Sequence, residues 1–269
     1  MLYTDNKYAF LENDNCIRFN PLGFQKVYNV EMFIEEDKNN ITRITHDAFV
    51  KTLEVKNPDL YLVSVILWNF LINNEKPDLV LEQLAEKCRR PLEKLVFYVN
   101  SKWQITGLHN YNNIVERWDE LKKQLEQEYT GEIFEKYIIK NDLVIRNEKV
   151  LLEKLKKDFF IVQFFSPIYN VSFNNFSIRN KENIKFLNID YEIDTLFSLE
   201  DRNENNTIVI VKNLDKQGEN YSMMPIDSYR TEYIMDDNYS INSIIGKFEN
   251  HGRKFIFNIK EDSSIAKIN

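Results

Sequence analysis

Three acidic residues, Asp190, Glu192 and Asp194, occupy every second position in one stretch of the chain. In a β-strand this spacing places the three carboxylates on one face, and carboxylate oxygens are the ligands that calcium and magnesium ions bind. Successive side chains on one strand face lie roughly 7 Å apart, so a single ion would need further ligands from other strands or loops. We therefore predict a charged, solvent-exposed strand face and no metal, with these three residues as weak candidates for a metal site.

Histidines and glycines give no pattern that is typical of an active site. None of the three histidines, His46, His109 and His251, is spaced with a second His, Cys or Glu as in a zinc site. The six glycines are scattered, so the chain contains no phosphate-binding loop, dinucleotide fingerprint or Gly-x-Ser-x-Gly turn. We predict no cofactor and no catalytic residue, and an enzyme that uses dispersed carboxylates is only a third hypothesis.

The aromatic segment 157–170, with the sequence KDFFIVQFFSPIYN, is the strongest candidate for a binding surface. In a helix, Phe159 and Val162 would continue the apolar stripe of the preceding turns, whereas Phe160 and Phe164 would lie on the opposite side. Exposing a Phe side chain forfeits about 1.5–3 kcal/mol relative to burying it. We therefore expect a buried helix end, unless the chain cannot cover the second side.

The strand predicted over 60–72 raises the same question, because both of its faces are apolar. A strand of this kind is central in a sheet and covered on both sides. If the chain does not supply the cover, the surplus surface becomes an apolar cavity or a protein interface. The candidate residues for binding an apolar ligand or a partner are Phe160, Phe164, Tyr169 and Trp68.

The surrounding elements predict an α+β fold in which antiparallel sheets from the N- and C-terminal thirds pack with a central helical hairpin. Strand patterns fill 20–108 and 170–260, and helical patterns fill 110–166. No linker separates the two β-rich regions, so we predict one integrated domain over 1–260 and a frayed tail over 261–269. A two-lobed arrangement is the alternative.

Three helices are predicted in more detail. The most regular one carries an apolar stripe of Ile114, Trp118, Leu121 and Leu125. A short helix with Asp78 as its N-cap has an inner face formed by Leu81, Leu84, Ala85 and Cys88. A third helix is expected to run without a break from about 147 to 165, where Pro167 stops it.

Composition excludes some classes of partner. The chain of 269 residues has a net charge of -7, and its Lys/Arg runs are short, so we expect no binding to nucleic acid. Its apolar runs are too short to cross a bilayer as helices, so we expect no membrane association. Two distant cysteines and a start without a basic and then apolar segment favour a cytoplasmic protein.

These observations favour a non-catalytic bacterial protein-interaction module, such as a subunit, adaptor, chaperone or immunity-type factor of an assembly. Such a module would act through apolar and aromatic surface, on a protein partner or on a second copy of itself. The alternative is a carrier or sensor of an apolar small molecule, held in a cavity between a curved sheet and the helices.

Overall fold

The structure, a computed structural model, describes residues 16–37, 40–173, 177–186, 189–202, 207–216 and 226–264. These residues form eleven strands and five α-helices. The strands are β1 (Gln25–Asp37), β2 (Asn40–Asn57), β3 (Leu60–Ile72), β4 (Lys94–Asn100), β5 (Ile105–Leu108), β6 (Ser177–Phe186), β7 (Ile189–Arg202), β8 (Thr207–Leu214), β9 (Ser228–Met235), β10 (Ile241–Asn250) and β11 (Arg253–Glu261). The helices are α1 (Val80–Arg89), α2 (Tyr111–Glu128), α3 (Glu132–Ile145), α4 (Glu148–Lys156) and α5 (Phe159–Phe164), and a 3-10 turn, Arg90–Leu92, follows α1.

All eleven strands belong to one antiparallel sheet. Their order is β5-β4-β3-β2-β1-β11-β10-β9-β8-β7-β6, so almost every strand pairs with its neighbour in sequence. The exception is the central pair of β1 and β11, in which Val30 lies opposite Ile259. This pair joins the strands of the N-terminal third to those of the C-terminal third. The α+β class and the antiparallel sheet are confirmed.

The helical middle of the chain contains four helices, α2 to α5, and the expected helical hairpin is not confirmed. The predicted stripe of α2 is buried, from Ile114 to Leu125. Gly131 separates α2 from α3 with a φ of 110°, a backbone conformation that residues with a side chain rarely adopt. Within the described residues, no helix is long and apolar enough to cross a membrane.

Two of the helix predictions were wrong in detail. The helix expected over 147–165 is divided, because Asp158 caps α5 by accepting a hydrogen bond from the backbone N of Ile161 at 3.2 Å. In α1, Leu84 and Cys88 are buried, but Leu81 and Ala85 are exposed. The helix α1 therefore buries a narrower stripe than expected.

The sheet curves around α5. The ring of Phe159 packs on Phe257 of β11 at 4.7 Å, and that of Phe164 on Tyr28 of β1 at 5.1 Å. A cavity of about 240 Å³ beside α5 is bordered by Ile105 of one edge strand and by Glu182 of the other. Because β5 and β6 border the same cavity, the two edges of the sheet approach each other across α5. The short helix therefore lies on the concave side of the sheet, next to both edges.

Candidate functional site

The aromatic residues of α5 that sequence analysis selected are enclosed by the chain itself. Phe160 and Phe164 are fully buried and stack on each other with their ring centroids 5.2 Å apart. Tyr28 of β1 contacts both rings, and its hydroxyl donates a hydrogen bond to the carbonyl oxygen of Ile241 at 2.8 Å. Phe160 and Phe164 are therefore covered by strands that are distant in sequence, which the sequence did not reveal.

Tyr169 is also buried, in a second aromatic group beside α5. Its ring stacks on Phe19 at 4.9 Å and meets the edge of Trp103 at 6.2 Å. Its hydroxyl lies 3.7 Å from the sulfur of Met235. The space at α5 on the concave side is thus occupied by rings of the chain.

The structure describes the side chains of two of the three carboxylates proposed as weak metal candidates. The side chain of Asp190 lies outside the described residues, and Glu192 is exposed. Asp194 is buried, with Lys181 4.0 Å away. In the part of the chain that the structure describes, no three His, Cys, Asp or Glu residues come together as metal ligands.

A buried polar cluster that sequence analysis missed surrounds Lys212 of β8. The Nζ atom of Lys212 lies 3.0 Å from Glu182 Oε2, 3.3 Å from Gln163 Oε1 and 3.4 Å from Ser166 Oγ. The Ser166 hydroxyl is also 2.8 Å from the hydroxyl of Tyr233. The cluster ties α5 and the turn after it to β6, β8 and β9. The signal in the sequence was Lys212 itself, which directly follows the apolar run 208–211 of β8.

The cluster resembles a serine nucleophile beside a lysine base, but its charges oppose that chemistry. Burial alone lowers the pKa of Lys212, yet Glu182, Tyr229 and Tyr233 together outweigh burial and raise this pKa well above its usual range. For Tyr233, burial has the opposite effect and raises the pKa of the hydroxyl. A lysine that stays charged cannot accept the proton of Ser166, so the arrangement favours a structural role.

Trp68, the remaining candidate, is half-buried and lines a cavity of about 930 Å³ that is bordered by β1, β2, β3, α1 and β11. It lies opposite Asp47 in the register of β2 and β3, so both side chains project from the outer face of the sheet. The Asp47 carboxylate accepts hydrogen bonds from the side-chain amides of Asn29 and Asn69 at 2.8 and 2.7 Å. Trp68 therefore lies beside an ordered polar network.

On the inner face of the sheet, the same cavity is bordered by a stack of three side chains. The imidazole of His46 lies parallel to the ring of Phe70 with centroids 4.4 Å apart, and the guanidinium carbon of Arg89 lies 3.6 Å from the Phe70 centroid. His46 is only 5% exposed, and its two ring nitrogens have no hydrogen-bond partner among the described residues. Burial, and then the charge of Arg89, lower the pKa of His46 to about 3, so its ring is neutral at pH 7.

A different kind of surface lies on α3, which is apolar on two opposite sides. Its inner side, with Phe134, Ile138 and Ile145, is buried. Its outer side exposes 70% of Ile133, 58% of Ile139 and 69% of Leu143. The exposed Lys136 and Lys140 share this side, and Lys136 forms an ion pair with Glu132 at 2.5 Å. Sequence analysis did not select this outer side as a candidate surface.

No protein-family model matches the chain, and no curated protein matches it. Among solved structures, the chain is similar to a chain of lipovitellin from a study of lipid–protein interactions in lipovitellin. The TM-score is 0.51 at 10% sequence identity, and the match covers 91% of this chain and 26% of the lipovitellin chain. The chain thus spans about a quarter of the length of that protein. At this identity, the comparison supports a similarity of fold alone.

Proposed function

We propose that this protein is a non-catalytic interaction protein that docks a partner protein through the outer side of α3. The observation that carries the proposal is a helix with apolar side chains on both sides, of which the chain covers only one. A helix that is apolar all round is normally covered all round. Exposed Ile139 and Leu143, which lie one helical turn apart, would form the centre of the contact.

The chemistry bordering these residues favours a partner surface that is apolar at its centre and acidic at its border. Lys140 flanks Ile139 and Leu143 on one side, next to Lys136, which forms an ion pair with Glu132. If a second copy of the chain docked α3 antiparallel to α3, the border with Lys140 of one copy would meet the same border of the other. Because two lysines on facing borders repel, we infer a different protein as the partner.

Site-specific photo-crosslinking tests this proposal. A photoreactive amino acid at position 139, in the organism from which the protein comes, should capture one protein, and Leu143→Glu should abolish the capture. Position 123, an exposed residue of α2, is the control. Crosslinks between two copies of the chain, or the same products from positions 123 and 139, would contradict the proposal.

The non-catalytic part of the proposal is supported by the state of the polar cluster. Lys212 is held as a cation by Glu182, and Ser166 is shared between Tyr233 and the carbonyl oxygen of Val162. These contacts leave no base to activate the serine hydroxyl.

A carrier of an apolar ligand is the alternative that suits a strongly curved sheet. It would require α5 to leave the concave side, because the rings of α5 are buried there and the cavity beside them measures only about 240 Å³. Removing α5 would expose several Phe side chains at about 1.5–3 kcal/mol each, which disfavours this alternative. Native mass spectrometry should show the mass of the chain alone, and a retained lipid would support the carrier instead.

A further inference from the structure

A row of polar side chains on the outer face of the sheet ends at Trp68. Asn29 of β1 lies opposite Lys260 of β11 on one side and opposite Asp47 of β2 on the other. Asp47 in turn lies opposite Trp68 of β3, and all four residues line the 930 Å³ cavity. Residues that face each other on neighbouring strands project from the same side of a sheet. Because adjacent strands are about 4.8 Å apart, the row is roughly 14 Å long.

The side chains of this row are open to solvent. Asn29 and Lys260 are exposed, and Asp47 and Trp68 are half-buried. The indole nitrogen of Trp68 has no hydrogen-bond partner among the described residues and, unlike that of Trp103, it is not enclosed. A ligand in the cavity can therefore reach the indole and the three polar side chains.

Asp47 is held in a fixed position within the row. Its carboxylate accepts hydrogen bonds from the side-chain amide of Asn29 at 2.8 Å and from that of Asn69 at 2.7 Å. Asn69 has a φ of 55° inside β3, at an irregularity in the pairing of β3 with β2. A positive φ is uncommon in residues other than glycine, and strained residues of this kind cluster at binding sites. The acceptor at the centre of the row is thus positioned before any ligand arrives.

The charges around the cavity largely compensate one another. Glu31 accepts a hydrogen bond from Arg43 at 2.6 Å, and Glu86 lies 3.5 Å from Arg90. All four of these side chains line the cavity, and the row itself adds one acid and one base. Because opposite charges close together cancel at a distance, the cavity favours a neutral polar ligand over an ion.

We propose that this cavity binds a neutral saccharide, whose ring stacks on the indole of Trp68 and whose hydroxyl groups bond to the polar side chains of the row. One face of a sugar ring is made of C–H groups and suits the flat apolar surface of an indole. A hydroxyl group both donates and accepts, so it can pair with a carboxylate, an amide or an ammonium group. The site lies on β1 to β3 and β11, and it does not depend on docking at α3.

Quenching of tryptophan fluorescence by iodide tests the site directly. The chain has three tryptophans, and Trp103 and Trp118 are only 1% and 0% exposed, so iodide reaches Trp68 alone. Cellobiose, maltose, lactose and N,N′-diacetylchitobiose would each be added, with glycerol, a polyol without a ring, as the control. At least one disaccharide should protect Trp68 from iodide in a saturable manner, and glycerol should not. If none of the four protects it at millimolar concentration, or if glycerol protects it equally, the proposal fails.

Two aromatic variants separate stacking in the cavity from general contact with the sheet. Trp68→Ala should weaken binding of the protecting disaccharide about tenfold or more, because the stacking surface is lost. Phe49→Ala is the matched control, since Phe49 is half-buried on the same face of β2 and lies outside the lining of the cavity. It should change binding by less than about twofold. Ligand-observed NMR measures both, and equal losses in the two variants would contradict the site.

Asn29→Ala distinguishes recognition by the row from a structural role. The residue is exposed, so the midpoint of urea denaturation should stay close to that of the wild type. Binding of the same disaccharide should nevertheless fall about threefold to tenfold, because a hydrogen bond to the ligand and one to Asp47 are lost. If the variant binds as well as the wild type, the row takes no part in recognition and the proposal is overturned.

Discussion

Burial and the nearby guanidinium of Arg89 lower the pKa of His46 to about 3. In the unfolded chain a histidine has a pKa of about 6.5. The unfolded state therefore binds an additional proton between these two values, and the fold loses stability as the pH falls from 6.5 towards 3. From pH 7 to pH 5.5 we expect the free energy of unfolding to drop by about 1 kcal/mol from this residue. Urea denaturation at the two pH values measures the drop.

Two variants test whether His46 causes this pH dependence of the free energy of unfolding. His46→Phe should remove it, because no imidazole remains to be protonated on unfolding. His251→Gln, at an exposed position, should keep it. A drop between pH 7 and pH 5.5 that is the same in wild type and His46→Phe would show that another group is responsible.

The ion pair of Lys212 and Glu182 permits a second residue-level prediction. Lys212→Met leaves the Glu182 carboxylate without its partner in a site that is almost fully buried, which should cost about 3–5 kcal/mol. Replacing both residues, with Glu182→Leu added, should recover most of that loss. Lys181→Met, at an exposed neighbouring position, should cost less than about 1 kcal/mol. Equal losses in the single and double variants would contradict the pairing.

At the scale of elements, the position of α5 depends on a glycine in the sheet. Gly246 of β10 lies opposite Phe257 of β11, and a Cβ atom at 246 would clash with the Phe257 ring. That ring in turn packs against Phe159 of α5. Because Gly246 has no side chain, the Phe257 ring can lie over it and pack against α5.

We therefore expect Gly246→Ala to lower the free energy of unfolding by about 1–3 kcal/mol, as overpacking of a core does. Chemical denaturation followed by tryptophan fluorescence measures the loss. Lys247→Ala, at the exposed neighbouring position, should change stability by less than about 0.5 kcal/mol. No loss in Gly246→Ala would show that the Phe257 ring has another place to go.

Element types with a clear period were predictable from the sequence. The apolar stripe from Ile114 to Leu125 predicted α2, and the run over 60–72 with two apolar faces predicted β3. The outer side of α3 was not predicted, because one apolar stripe satisfies a helical pattern and Ile139 and Leu143 stand among charged residues.

At the scale of the whole molecule, closure of the sheet depends on contacts between distant parts of the chain. Tyr28 pairs with Glu261 at the centre of the sheet, and Ile105 and Glu182 meet across α5 at its edges. Neither of these long-range contacts changes the local pattern of apolar residues. The sequence therefore could not show whether Phe160 and Phe164 are covered. For the same reason it predicted Trp68 as a site residue without the hydrogen-bonded network of Asp47 beside it.

The central claim is that α3 docks a partner, and the Kd of the protein captured at position 139 tests it most directly. Ile139→Glu combined with Leu143→Glu should raise this Kd at least about 100-fold, because two charges would enter an apolar contact. Lys123→Glu on α2, the matched control, should leave the Kd within about twofold. A Kd that the double substitution changes by less than about threefold would contradict docking at α3.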